Sequence, residues 1–277
     1  MNKRILLLVL SIIFAANLWA QEFTAMSYNI RYANENDGEN SWSNRKSFLA
    51  NQLKFYHPDI FGVQEALAEQ VYYLEKQLPT YNRIGIGRDG EEKGEFSAVF
   101  YDTTKFEMLS NNTFWLSETP DKISKGWDAS LNRICTYVLL EDKESGAKIY
   151  FFNTHFDHQG DKARINSARL IVEKIKEINT ENYPVFLTGD FNLESTSAPI
   201  QYVKSFLNDA AESSAEIKLG PSGTYNDFNF SKPVTHRIDY VFYSDLIKVN
   251  TYAVLSDNEG GRYASDHLPV FVKVEVR

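Results

Sequence analysis

KIYFFNTHFDHQGDKARINSARLIVEKIKEINTENYPVFLTGDFN, Lys148–Asn192, reads as strand, helix, strand. Lys148 to Asn153 and Val185 to Thr188 are short, mostly apolar runs of strand length. Between them Ile165, Ala168, Ile171, Ile175 and Ile178 recur near a 3.6-residue period, which predicts one long helix over Asp161–Ile178. Both strands finish in an unusual way. The first runs into Asn153, Thr154 and His155; the second runs into Gly189, Asp190, Phe191 and Asn192. A buried strand that ends in ionisable groups needs a reason, because an unpaired buried charge is costly.

Working outward, the same ending recurs. Phe23–Ile30 alternates Met26, Tyr28 and Ile30 against Ser27 and Asn29, and is followed by Arg31. Asp59–Val63 runs into Gln64 and Glu65. Ile238–Tyr243 contains Asp239, and Ser265, Asp266 and His267 introduce a last strand, Leu268–Val276. Further strands are read at Tyr81–Ile86, Ser97–Tyr101, Phe106–Leu116, Ile134–Leu140 and Val249–Leu255, with helices at Arg45–Tyr56, Leu67–Leu78 and near Pro199–Leu207. Mixed strands with interspersed helices argue for a layered α/β sandwich rather than a purely parallel sheet. Taken singly, each polar motif has a plain reading. GDFN makes a tight turn with a capping side chain, Glu65 caps the helix that follows, and His267 packs in the fold. Taken together, six strands carry carboxylates, amides and imidazoles. If they converge, they form a site for a hard divalent cation and proton transfer, with oxygen donors suited to Mg²⁺ or Mn²⁺. Zinc would call for Cys or clustered His, and these histidines are scattered.

The chain of 277 residues opens with Lys3 and Arg4, an apolar run from Ile5 to Ala16, and Ala20 before Gln21. That layout predicts a signal peptide over residues 1–20, hence export to the periplasm or beyond the cell, and one domain over residues 21–277. Composition is 43% apolar and 14% aromatic, enough to fill a core, and the single cysteine, Cys135, is expected to pack in it. The whole chain carries −8, and the leader holds two of the bases and no acid, so the rest is more acidic still. An acidic surface argues against polyanionic partners while leaving nucleic acid open. No loop is apolar enough to dock on a bilayer, and stable membrane insertion is not expected.

The ordered segments SYNIR (Ser27–Arg31), GVQE (Gly62–Glu65), NTH (Asn153–His155), GDFN (Gly189–Asn192), RIDYVF (Arg237–Phe242) and SDHLPV (Ser265–Val270) resemble the endonuclease/exonuclease/phosphatase superfamily. FWLSETP, GWD and HFDHQG resemble its secreted bacterial and deadenylase-like branches. The resemblance implies a four-layer α/β sandwich, two mixed β-sheets flanked by helices. It implies that Glu65, Asn29 and Asp266 serve a Mg²⁺ or Mn²⁺ ion, and that Asp190 activates a water. Asn192 and His155 would contact the phosphoryl group, and His267, oriented by Asp239, would stabilise its charge. Arg31 is read as a phosphate clamp or a partner of a local acid. His158 and Arg169 are weaker substrate-binding candidates, with loop hydrogen bonds and helix ion pairs as their plainer roles. The expected activity is metal-dependent hydrolysis of a phosphate mono- or diester by a monomer, a small organophosphate fitting the charge at least as well as nucleic acid or lipid. A non-catalytic binding protein of the same fold is the alternative from another class.

Overall fold

The computed structural model describes residues 21–276, so the expected signal peptide lies outside the described residues. Two mixed sheets form the frame. In chain order the first comprises β1 (Gln21–Asn29), β2 (Ile60–Ala66), β3 (Tyr81–Ile84), β4 (Phe96–Asp102), β10 (Ile217–Leu219), β12 (Ile247–Val254) and β13 (Val270–Val276). Its spatial order is β10-β12-β13-β1-β2-β4-β3. The second comprises β5 (Phe106–Trp115), β6 (Ile134–Asp142), β7 (Lys148–His155), β8 (Val185–Asp190), β9 (Asn208–Asp209) and β11 (Asp239–Tyr243), ordered β5-β6-β7-β8-β11-β9.

Side-chain alternation sorts the layers. Along β7, Phe151 packs between the sheets while Phe152 faces outward. The inter-sheet core joins Phe23, Ile60 and Val99 to Val138, Phe151, Phe186 and Val241. Two helices, α1 (Trp42–Tyr56) and α2 (Ala68–Gln77), cover the first sheet through Leu49, Leu53, Val71 and Leu74, against Tyr28, Phe61 and Phe100. Helices α3 (Asp161–Ile178) and α4 (Ala198–Lys204) cover the second through Ala168, Ile171, Ile175, Ile200 and Val203. The result is the expected four-layer sandwich. Each buried Leu, Ile or Phe contributes about 1.5–3 kcal/mol of transfer free energy.

The inter-sheet layer also holds one polar staple. Asn153 is fully buried; its Nδ2 donates to Val63 O and Ala98 O, both 2.9 Å, and its Oδ1 accepts from Gln64 Nε2 at 2.6 Å and Thr188 Oγ1 at 3.1 Å. A Cβ on Gly62 would run into this amide, so the glycine lets the two sheets approach here.

Parallel pairing fixes where the site lies. β1 runs parallel to β2 and β7 parallel to β8, while β11 and β13 are antiparallel to their neighbours. The C-terminal ends of the first four strands and the entrances to the last two therefore share one edge. Three strands also run further than the apolar pattern predicts. β2 continues through Gln64 and Glu65, β7 to His155 and β8 to Asp190. His155 pairs in register with Asp190, and Asp190 with Asp239, so the polar ends remain in the ladder.

Candidate active site

The six strand ends meet as the sequence leads one to expect. Asn29 is their hub. Its Nδ2 donates to Glu65 Oε1 at 3.0 Å and to Asp190 Oδ2 at 2.9 Å, and lies 3.4 Å from His267 Nε2. Its Oδ1 accepts the Arg31 N–H at 3.0 Å. Asn29 thus turns its NH₂, not its oxygen, toward the acids, so here it holds the carboxylates rather than offering a ligand atom. The cause is local: Arg31 has φ 54°, and this left-handed turn aims its N–H back at the Asn29 carbonyl oxygen.

Two functional residues also carry left-handed backbone, Glu65 at φ 62° and Asn192 at φ 52°. Non-glycine residues rarely adopt it, and it persists where surrounding contacts over-determine it. For Glu65 the β2–β4 register shifts between Val63 and Ala66, and Tyr32 N donates to Glu65 Oε2 at 3.2 Å. For Asn192, its N–H donates to Asp190 Oδ1 at 2.8 Å, and its Nδ2 donates to Phe156 O and meets His155 Nε2, both at 3.0 Å.

His267 is held from both sides. Asp239 Oδ2 accepts from its Nδ1 at 2.8 Å, and Asp190 Oδ2 lies 3.8 Å from its Nε2. Thr224 Oγ1 donates to the same Asp239 oxygen at 2.5 Å. Burial opposes the charge on His267, but these two carboxylates outweigh it and hold the imidazole pKa well above its usual value. Asp190 goes the other way: burial, then the neighbouring Asp239, push its carboxyl up to about 7. His155, buried near Arg133 and His267, is pushed well below the usual value and stays neutral. Neutral pH therefore finds a charged His267, a neutral His155 and an Asp190 poised to take or release a proton.

Glu65, Asp190 and His267 bring one ligand atom each within 4.8 Å of one another. A protonated His267 offers no lone pair, so the two carboxylates are the donors that matter. Asp266 lies just beyond; burial foremost, and repulsion from Glu65, raise its pKa. Arg31 sits 3.9 Å from Glu65 Oε2 and 3.8 Å from Asp266 Oδ2, and its firmest pairing is with Asp37 at 3.1 Å. It acts here as the partner of local acids. Oxygen donors with an excess of negative charge fit a hard divalent cation.

Two expected residues stay apart. Arg169 is exposed on α3, eight residues past its start at Asp161, and a helix rise of about 1.5 Å per residue carries it away from the rim. His158 is exposed, with Arg133 Nη2 3.1 Å from its Nδ1. Arg45, at the start of the expected helix, is buried and donates to the carbonyls of Ile30, Ala264 and Arg31, tying the first and last motifs together. Sequence reading missed Thr224, Arg133 and Glu95. Glu95 Oε2 lies 3.8 Å from His155 Nδ1 and takes Arg88 Nη1 at 2.7 Å. It is one acid among Glu91, Glu92 and Glu95 in an exposed-looking loop, which gives no signal.

A two-sheet sandwich with oxygen donors, a charged His–Asp pair and an activatable carboxylate at one rim defines a phosphoester-hydrolase type of site. The profile of the Endonuclease/Exonuclease/phosphatase family matches residues 26–267, and the chain belongs to that family. Its members are divalent-metal-dependent hydrolases of phosphoric esters. A mannosyl-6-phosphatase of Bacteroides thetaiotaomicron is 40% identical, with a TM-score of 0.87 over 91% of this chain and 99% of that one. Another family protein of the same organism is 39% identical, with a TM-score of 0.89 over 93% and 99%. Mouse Nocturnin is 23% identical over 82% of this chain, which spans 57% of Nocturnin's length.

Proposed function

We propose that the chain is an exported, monomeric phosphoesterase that uses Mg²⁺ or Mn²⁺ to release phosphate from a small soluble phosphomonoester. The observation that carries this reading is the buried cluster in which Asn29 binds both Glu65 and Asp190 beside a charged His267. Glu65 and Asp190 would hold the cation, with Asp266 in support. When bound, the cation supplies Lewis-acid polarisation and neutralises charge on the ester oxygens.

The protein's own groups do the rest. The Asp190 carboxylate, held by Asn29 Nδ2 and the Asn192 N–H, would orient the attacking water and accept its proton. The Nε2–H of His267 donates to the charge that develops on the phosphoryl oxygens, and Asp239 holds the ring in that state. Asn192 holds the neutral His155 through Nε2, its other N–H being taken by Phe156 O, and so would position His155 toward the phosphoryl group.

A small monoester is favoured by the acidic surface and by the mannosyl-6-phosphatase relative. The test assays the chain from residue 21 on p-nitrophenyl phosphate, bis-p-nitrophenyl phosphate, mannose 6-phosphate and plasmid DNA, with Mg²⁺ and with EDTA. Metal-dependent release from the monoesters above the diesters supports the reading. Faster cleavage of DNA than of any monoester would replace it with a nuclease, and no metal-dependent turnover beside measurable ligand binding would favour the non-catalytic alternative.

A further inference from the structure

A second hollow opens beside His267, and none of the catalytic groups lines it. It has a volume of about 480 Å³ and is walled by the segment from Tyr225 to His236. That is the size of a small-molecule pocket. Its wall is hydrogen-bonded to the catalytic edge: Asn226 N and Asp227 N both donate to Asp266 O, at 2.8 and 3.2 Å, and Leu268 N donates to Thr224 O at 2.7 Å. The Tyr225 ring stands edge-on to His267, centroids 5.1 Å apart. On the far side, His236 Nδ1 lies 3.2 Å from Glu194 Oε1, two residues beyond Asn192. The hollow therefore adjoins the His267 and Asp266 side of the site.

Its chemistry is that of a hydroxyl-rich ligand. Asn226 is more than nine-tenths buried and its Nδ2 donates to Ser265 O at 3.1 Å, which braces the wall against the catalytic edge. Asp227 is exposed with φ 53°, a left-handed turn that a side chain rarely adopts, and one of its oxygens accepts from the Tyr225 hydroxyl at 3.0 Å. Asn229 spends its Oδ1 on Ser231, so its NH₂ remains a free donor. A carboxylate, an amide donor and one aromatic face match alternating hydroxyls and C–H faces. Lys232 is the only lysine or arginine on the lining, and a nucleic-acid strand would want a basic track with stacking rings.

We infer that this hollow is the subsite for the alcohol half of the ester, and that Asp227 and Asn229 select a polyhydroxylated leaving group such as a sugar. The inference rests on the phosphomonoesterase reading and adds its substrate class.

The test is the ratio of kcat/KM for a hexose 6-phosphate to kcat/KM for p-nitrophenyl phosphate, measured in Mg²⁺ for wild type, Asp227→Ala and Asn229→Ala. Each substitution should lower the ratio about tenfold or more, the loss of one hydrogen bond to a charged or polar group. Both residues lie at least partly in solvent, so the variants should keep the wild-type melting temperature. A wild type active on p-nitrophenyl phosphate alone, or ratios within about twofold of wild type, would overturn the inference and leave the phosphomonoesterase reading standing. Absence of metal-dependent release from either ester in the wild type would overturn both.

Discussion

His267 keeps its proton because Asp239 binds one ring nitrogen and Asp190 faces the other. Removing the Asp239 charge while keeping its shape tests that pairing. Asp239→Asn should lower kcat about 10²–10⁴-fold, with KM changed much less, because the loss falls on the transition state. A fall of under threefold at pH 7.5 would mean that His267 does not act as a charged donor. Glu65→Ala should raise the Mg²⁺ concentration for half-maximal rate at least about tenfold, read from a Mg²⁺ titration of the rate. At this scale the sequence was informative wherever an acid or imidazole followed an apolar run, as with Asp190 and His267. It said nothing of Thr224 or Arg133, because a hydroxyl or a guanidinium acting across the fold leaves no local pattern. Nor did it mark Arg45, whose burial depends on the carbonyls of Ile30 and Ala264 closing on it.

Elements carry the site by their ends. Asp161–Ile178 and the core strands follow from periodicity, but their polar ends do not, since β7 and β8 keep their ladder where the apolar signal stops. β9 and β10 escaped notice because they have two and three residues, and β10 is exposed. Asn153 explains why strands can end this way: it satisfies backbone and side-chain groups of both sheets within the dry layer. Asn153→Ala would strand the Val63 and Ala98 carbonyls and the Gln64 amide. Urea unfolding should show a loss of roughly 2–4 kcal/mol. A loss below about 0.5 kcal/mol would show that the staple is dispensable.

Over the whole molecule, the rim gathers buried acids and imidazoles in a chain that is already acidic. Its pH dependence follows with definite signs. Asp190 and His267 both have raised pKa values in the folded state, so each binds its proton more tightly folded than unfolded. Asp190 therefore loses stabilisation as pH rises from its ordinary carboxylate range to about 7, and His267 loses it above its ordinary value of 6.5. His155, lowered in the fold, costs stability only below 6.5. In EDTA the melting temperature should fall from pH 6.5 to pH 8, and Asp190→Asn should flatten that fall. A melting temperature that climbs over this range would contradict the charge assignment. The four layers and the shared edge were legible in the order of six motifs, whereas the wall from Tyr225 to His236 was not, because an irregular loop has no period to read.

The most direct measurement is phosphate release from mannose 6-phosphate in Mg²⁺ by wild type and by Asp190→Asn, whose shape is preserved and whose carboxylate is gone. The predicted result is a metal-dependent wild-type rate that drops at least about 10³-fold in the variant. Equal rates in the two proteins, or a wild-type rate indifferent to EDTA, would contradict the assignment of this cluster as the hydrolytic site.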